Sequence, residues 1–322
     1  MSSLNILIIG NSISGPALAS FLLLHPSLSA TAKPHITLLE RASSARKQGQ
    51  NIDIRGTGIE LVKLLGLESI IKANTTGEEG VQLVDDKNTI WMQRAAGKEG
   101  EAGAPTAEIE IMRGKLAEIL EKRSRWVSEK VKRAGGKGIA YVFGDYLDEI
   151  EQDGEQVRVR FKKSGERRSY DIVVAADGLQ SGTRRMVWGE KGEEDRVKRL
   201  GAYGAFYSIP KGETDTMWRR WYHAPGRRGI MVRPNKGAGN TTVFMTVLPE
   251  DERKFVEVAR REVGGADAQK RVMAEQFEDA GWETSRVLQG MMETNDFYYD
   301  MIAQVKMESW HKGRVVLLGD AG

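Results

Sequence analysis

An α/β fold in two parts, a layer with a parallel sheet and a second domain rich in β-sheet, is predicted by three observations. The chain opens with an apolar run, Leu4–Ile9, a Gly/Ser turn, an apolar helix-forming stretch at Pro16–Leu24 and a second apolar run at Ile36–Leu39. That order is β-α-β, the unit of a parallel layer. Two later apolar runs, Val173–Ala176 and Val315–Leu318, both lead into a Gly/Asp turn. Between about Leu200 and Val247 come further β-type runs carrying Tyr203, Phe206, Tyr207, Trp218, Trp221, Tyr222 and Phe244, a candidate second sheet. At 322 residues the chain exceeds the size at which a single core keeps growing, so two packed units are expected.

The remaining elements follow in chain order. Ile59, Leu61, Val62, Leu64, Leu65 and Ile70 give Thr57–Ala73 helical spacing, and the stretch is expected to pack beside the nucleotide unit. Ala95–Thr106, rich in Gly, Ala and charge, reads as a loop between strands. Met112–Ala134 reads as a long basic helix with a solvated outer face. Ile139–Phe143, Val157–Lys162 and Tyr170–Ala176, separated by Asp-Gly and Ser-Gly turns, suggest a meander feeding back to the main sheet. Helical texture returns at Lys254–Gly281, and Val315–Leu318 gives a last buried strand.

Composition narrows the chemistry. Cysteine is absent, which excludes disulfides, thiolate catalysis and Cys-ligated metal centres. His25, His35, His223 and His311 lie too far apart for a local metal motif, and no metal is expected. A net charge of +3, with basic and acidic residues interspersed, argues against nucleic acid as a partner. The N-terminal apolar run lacks a basic leader and is broken by Gly10, Asn11, Ser12 and Gly15, so it reads as strand, turn and helix rather than a signal peptide. No apolar run reaches the length of a membrane-spanning helix, and a cytoplasmic location is expected.

The first turn, Gly10-Asn11-Ser12-Ile13-Ser14-Gly15, is the dinucleotide fingerprint with serine at its middle glycine. Gly10 permits the tight turn, Gly15 lets helix and strand approach, and the helix N-terminus offers N–H groups and positive dipole to a pyrophosphate. Glu40 ends the second strand, where a carboxylate accepts hydrogen bonds from an adenosine ribose and repels a 2′-phosphate; this favours FAD or NAD over NADP at that site. Asp177 and Asp320 follow two other strand ends and point to the same crevice, although a turn or N-cap role alone explains either one. The turn is one residue too long for a Gly-x-Ser-x-Gly nucleophile elbow, which lowers a hydrolase reading. No side chain is assigned a catalytic role. Trp218, Trp221, Tyr222 and His223 are candidates for substrate contact, with ordinary core packing as the competing explanation.

In order along the chain, GNSISGPALA, LLER at Leu38–Arg41, GQNIDIRG at Gly49–Gly56, IMRGKL at Ile111–Leu116, AADGLQSGTRR at Ala175–Arg185 and GRVVLLGDAG at Gly313–Gly322 resemble the FAD-dependent aromatic hydroxylases. These are the group A flavoprotein monooxygenases, which include para-hydroxybenzoate and tetracycline hydroxylases. The resemblance implies an FAD/NAD(P)-binding Rossmann-like three-layer domain over 1–74, 106–185 and 300–322, with a β-sheet-rich substrate domain over 75–105 and 186–299. It implies that Glu40, beside Arg41, holds the FAD ribose, that Arg113 reaches the pyrophosphate or ribityl region, and that Asp320, after Gly319, binds the ribityl chain. By the same carry-over Asp53 lies near the flavin, Asp177 and Gly178 serve FAD and the nicotinamide donor, and Arg46 contacts NADPH. Only one fingerprint occurs, which fits a nicotinamide cofactor, NADPH in preference to NADH, that visits transiently. The cofactor then carries the chemistry: hydride reduces the flavin and one atom of O2 enters an aromatic or polycyclic substrate.

In the family the GD motif continues into a Pro/Gly loop and a long helix, so the expectation at Gly322 is a C-terminally truncated chain. Two alternatives stand beside the monooxygenase: a flavin-dependent reductase on the same fold, and a non-catalytic nucleotide-binding remnant. The substrate and oligomeric state are not encoded in any motif.

Overall fold

Near-continuous Ile, Leu and Val in the strands Asn5–Ile9, His35–Glu40 and Ile172–Ala175 suit strands covered on both faces. In the computed structural model, which describes residues 3–44, 51–96, 109–235, 239–259 and 265–322, they form the centre of a six-stranded sheet. Its order is His311–Lys312, Val315–Leu317, Ile172–Ala175, Asn5–Ile9, His35–Glu40, Ile139–Phe143. All neighbours are parallel except the short first strand.

The period-two alternation decides the layers. Ile6, Ile8, Ile36, Leu38 and Val174 pack with Ala19 and Leu23 of the helix Ser14–Leu24 and with Val127 and Val131 of the helix Arg113–Arg133. Leu7, Ile9, Leu39, Val173 and Val315 face the other way, onto Val157, Val159, Phe161 and Tyr170. Those last residues belong to a separate antiparallel sheet, in the order Arg167–Tyr170, Val157–Phe161, Leu147–Gln152. Three layers result: helices, parallel sheet, antiparallel sheet. The expected meander is therefore divided, because Ile139–Phe143 and Ile172–Ala175 join the parallel sheet. Its third strand, Leu147–Gln152, hides behind the charged sequence LDEIEQ. Cross-strand pairs explain those charges, Asp148 with Arg160 at 2.9 Å and Glu149 with Arg167 at 2.8 Å.

By internal contacts the chain divides into one unit of residues 1–47, 116–198 and 304–322 and another of 48–115 and 199–303. The segments 48–74, 106–115 and 300–303, expected with the nucleotide domain, fall in the second unit, and 186–198, expected with the substrate domain, in the first. Thr57–Ala73 is two helices, Thr57–Leu64 and Glu68–Lys72. Gly66, at φ +66°, ends the first, with the N–H of Leu67 donating back to the carbonyl of Val62. Most of the expected loop at Ala95–Thr106 lies outside the described residues.

The second unit is built on a seven-stranded sheet ordered Phe297–Val305, Val197–Pro210, Asn240–Val247, Arg228–Pro234, Trp218–Ala224, Gly80–Val84, Ile90–Ala95. Tyr203, Tyr207, Tyr222, Ile230, Val232, Val243 and Met245 form one face and pack on the helices Arg253–Ala259, Gly265–Phe277 and Thr284–Glu293. The intervening residues, Phe206, Ser208, Trp221, Met231, Arg233, Thr242 and Phe244, form the opposite face and line a cavity. Among the described residues no helix is long and apolar enough to cross a membrane.

Candidate functional site

The strands ending at Leu317, Ala175, Ile9 and Glu40 are consecutive and parallel, so their carboxyl ends open on one edge of the first unit, where ligands of such sheets bind. Gly10, at φ +111°, donates its N–H to the carbonyl of Leu39 at 2.7 Å. A Cβ built there would lie 2.2 Å from the carbonyl oxygen of Ala176, and one at Gly15 would lie 1.9 Å from that of Gly10. Backbone fills the space a side chain would need. Ser12 has negative φ, so serine replaces the middle glycine without strain. Ile13 precedes the helix, and no side chain caps the N–H groups that begin at Ser14.

Glu40 is fixed by two backbone donors, the N–H of Asn11 on Oε2 at 3.0 Å and that of Ala42 on Oε1 at 2.9 Å. Each oxygen keeps a lone pair for a ligand hydroxyl. Asn11 is 2% exposed, and neither atom of its side-chain amide finds a partner among the described residues. Buried amides are normally hydrogen-bonded, so this one marks a place for a polar ligand. Gly319, at φ +64°, packs against Ser14, where an added Cβ would meet Oγ at 2.7 Å. It starts the turn Gly319–Ala321, on which Asp320 is exposed. Arg41 is also exposed.

Asp177 has a different geometry from that of a ligand-facing carboxylate. It accepts from Ser181 Oγ at 2.5 Å, from the Thr183 N–H at 3.1 Å and from Thr183 Oγ1 at 2.9 Å. Ser181 Oγ in turn caps the helix Gly182–Trp188 by accepting from the Arg184 N–H, and Gly178, at φ +82°, turns the chain toward it. Asp53 and Arg113 belong to the second unit. Asp53 pairs with Arg55 at 2.8 Å, and Arg113 Nε is buried without a partner among the described residues. Arg46 lies outside the described residues. The first unit thus brings together Gly10, Ser12, Ile13, Ser14, Gly15, Glu40, Gly319 and Asp320, and sets the backbone of Asp177 beside Gly10 while its carboxylate turns to Ser181 and Thr183.

Arg184 carries no expectation from the sequence, yet it is fully buried. Its guanidinium donates to Glu193 Oε1, to the Leu179 carbonyl at 2.7 Å and to the Ala321 carbonyl at 2.8 Å. It ties the helix after Asp177 to the turn that carries Asp320. Within AADGLQSGTRR it reads as one more surface arginine, because Glu193 and Ala321, two of its three partners, lie outside the motif.

The cavity of the second unit has a volume of about 220 Å³. Sheet register arranges its floor in two rows. Phe206, Phe244, Met231 and Trp221 stand opposite one another across four strands, and Ser208, Thr242 and Arg233 form a polar row two residues away. Phe206 and Phe244 stack at 4.3 Å and 12°, and Trp221 meets Phe244 edge-on at 6.3 Å. Trp221 Nε1 is buried and unpaired among the described residues. Ser208 donates to Asp296 Oδ2 at 2.7 Å. Of the four tempting aromatic positions only Trp221 lines the cavity. Tyr222 faces the helices, donating its hydroxyl to Ala280, His223 is exposed and stacks on Trp221, and Trp218 packs against Gly80.

Arg233 is held by buried carboxylates, with Nη1 2.5 Å from Glu110 Oε1 and Nε 3.9 Å from Glu78 Oε1; Arg219 lies 3.8 Å from Glu78. Burial, and next the charge of Glu110, push the Glu78 carboxyl up to about 8 against the opposing pull of the two arginines. An unfolded Glu78 ionises near 4.5, so between that value and about 8 the folded chain binds more protons. The contribution of this group to stability is therefore lost as pH rises through that window. Glu78→Gln is expected to gain stability over the wild type by at least about 1 kcal/mol between pH of about 5 and 8, read as diverging urea midpoints. Parallel pH profiles for the two chains would contradict the assignment.

Comparison with known proteins gives three findings. Residues 3–322 match the family described as FAD binding domain. The chain is 33% identical to the FAD-dependent monooxygenase asL6 of Sarocladium schorii over 99% of its own length and 74% of that protein, and 32% identical to a flavin-dependent monooxygenase of an unknown prokaryotic organism over 98% and 74%. It superposes on the crystal structure of tetracycline destructase Tet(51) with a TM-score of 0.78 and 32% identity, over 99% of this chain and 75% of that one.

Proposed function

The chain belongs to the FAD-binding-domain family of flavin-dependent monooxygenases, and from that premise we propose that it hydroxylates an aromatic or polycyclic small molecule held in the cavity of the second unit. NADPH, in preference to NADH, is the electron donor, and O2 supplies the oxygen atom. The tetracycline destructase likeness supports a polycyclic substrate class. Reduced nicotinamide supply fits a cytoplasmic enzyme.

One observation carries the cofactor assignment: the buried, unpartnered amide of Asn11 beside the carboxylate of Glu40, in a turn where glycine leaves room only for backbone. These residues fit FAD. Glu40 would accept the ribose hydroxyls, the N–H groups from Ser14 onward would face the pyrophosphate, and the turn Gly319–Asp320 would meet the ribityl chain. Arg113 and Asp53, and Arg46 toward the nicotinamide donor, complete the assigned set. Asp177 acts by holding Ser181 and Thr183, hence the helix that Arg184 anchors. When bound, FAD accepts hydride and activates O2. The protein supplies position: the Phe206 and Phe244 rings match a planar substrate, Trp221 Nε1 donates to one of its oxygens, and the apolar floor limits water.

The test is reconstitution with FAD followed by NADPH-driven O2 uptake with polycyclic phenols, scored by mass spectrometry for one added oxygen. Uptake stoichiometric with product supports hydroxylation. Flavin reduction without oxygenated product for any such phenol favours a reductase. Within the active enzyme, Trp221→Phe is expected to raise KM about five- to tenfold with unchanged melting temperature, the loss of one hydrogen bond of about 1 kcal/mol. An unchanged KM would remove Trp221 from the substrate contacts.

A further inference from the structure

The cavity has a chemical direction that an aromatic floor alone does not give. Across its polar row, Arg233 stands at one end, and Ser208 with Asp296 at the other. A flat ring over Phe206 and Phe244 therefore meets a cation on one side and a carboxylate on the other.

The cation is unusually placed. Glu110 is 3% exposed and takes the close contact to Arg233, whereas both Arg219 and Arg233 stand at 3.8 to 3.9 Å from Glu78, too long for hydrogen bonds. Neither Glu78 oxygen has a hydrogen-bond donor among the described residues, although its side chain is 2% exposed, and the group within its hydrogen-bond reach is the Glu110 carboxyl, itself an acceptor. A buried carboxylate in that position would face the Glu110 carboxylate with no proton between them, a costly arrangement; a carboxylic acid there donates its proton to Glu110. We propose that Glu78 is the specificity control of this cavity: by holding or releasing one proton it sets how much of the Arg233 charge faces the substrate, so that binding of a substrate with an acidic oxygen, carboxylate or enolate, is linked to proton uptake by Glu78. The proposal deepens the assignment of the cavity as the substrate site and rests on it.

The charge count is direct. With Glu78 neutral, Arg219 and Arg233 face one anion, Glu110, and the cluster carries one net positive charge beside the cavity. With Glu78 ionised, the four charges cancel. Asp53 also faces Arg219 but is paired to Arg55, and Asp296 faces the far end of the polar row. Burial and Glu110 raise Glu78 into the range where this change happens near pH 8. Linkage requires reciprocity: if the neutral acid favours an anion in the cavity, the anion favours the neutral acid. Glu78 is a positioning residue here, since it acts through Arg233 and does not touch the substrate.

The test uses the full chain, 2-naphthoate as the anionic probe and 2-naphthamide as its neutral counterpart, with binding measured calorimetrically from pH of about 6.5 to 9.5. The wild type is expected to lose about tenfold in naphthoate affinity across that range and to hold naphthamide unchanged. Glu78→Gln is expected to bind naphthoate as the wild type does at low pH, with no fall. Naphthoate binding should also take up protons near pH 8, read as heats that depend on the ionisation enthalpy of the buffer, and should cease to do so in Glu78→Gln. Parallel pH profiles for the two probes in the wild type would overturn the proposal even if the variant did not fold. Phe244→Ala separates this failure from that of the site: if neither probe binds, or if Phe244→Ala leaves both affinities unchanged, the cavity is not the substrate site. If Phe244→Ala weakens both probes but charge and pH do not matter, only the role of Glu78 falls.

Discussion

Arg184→Ala is expected to cost about 3–5 kcal/mol of stability, the range for breaking a buried ion pair from one side. The reason is what remains behind. Arg184 has 0% exposure, and its loss strands the carbonyls of Leu179 and Ala321 and leaves the Glu193 carboxylate with Arg196 alone, at 3.6 Å. Lysine keeps the charge but cannot reach three directions with one planar fork, so Arg184→Lys should recover only part of the loss. Because the Ala321 carbonyl belongs to the turn that carries Asp320, the variant should also retain FAD less well than the wild type at temperatures where both are folded. Urea unfolding and flavin retention after desalting measure the two effects. A stability loss below about 1 kcal/mol would mean that water replaces the guanidinium, and the residue would lose its place as the anchor of that turn.

Gly15→Ala is the second large effect. The added methyl would stand 1.9 Å from the backbone oxygen of Gly10, and no rotamer moves either atom. Relief requires the first helix to withdraw from the first strand, which pulls its N–H groups away from the site where a pyrophosphate would bind. A loss of at least about 100-fold in FAD affinity is expected, of the order of 3 kcal/mol, with a drop in melting temperature of several degrees. Ser12→Gly serves as the control, because Ser12 already has an ordinary backbone conformation, and its affinity should change less than about threefold. Equal FAD affinity in Gly15→Ala and wild type, by flavin fluorescence titration, would show that the crevice is not where FAD binds.

Much of the candidate site's placement was legible because it is local. Gly10, Gly15 and Glu40 sit within one βαβ unit, where each position follows from the turn and strand that carry it, and Asp320 follows directly on a strand end. Asp177 shows the limit of that logic. Its position after the strand Ile172–Ala175 is as expected, but its carboxylate turns to Ser181 and Thr183, only four and six residues on. A strand-end aspartate can point at a ligand or cap the next helix, and sequence position does not choose between them. The helix break at Gly66 was similarly present as a residue type, but the apolar spacing on both sides concealed it.

What the amino-acid sequence determined by itself was the order of elements: the buried runs of a parallel layer, the glycine turn and the alternating strands of a second sheet. Those features depend on neighbours in the chain, whose periodicity fixes which face is apolar. Tertiary structure decided the rest. Arg184 meets Ala321 at a separation of 137 residues and Arg233 meets Glu110 at 123, and nothing near either arginine announces its partner. The aromatic row of Phe206, Phe244, Met231 and Trp221 exists only because three strand pairings share a register. A shift of one residue in any of them would turn those side chains into the helix-covered core. The charge of the cavity wall is likewise a tertiary property, since burial and Glu110 together, not the identity of Glu78, decide whether that carboxyl holds its proton.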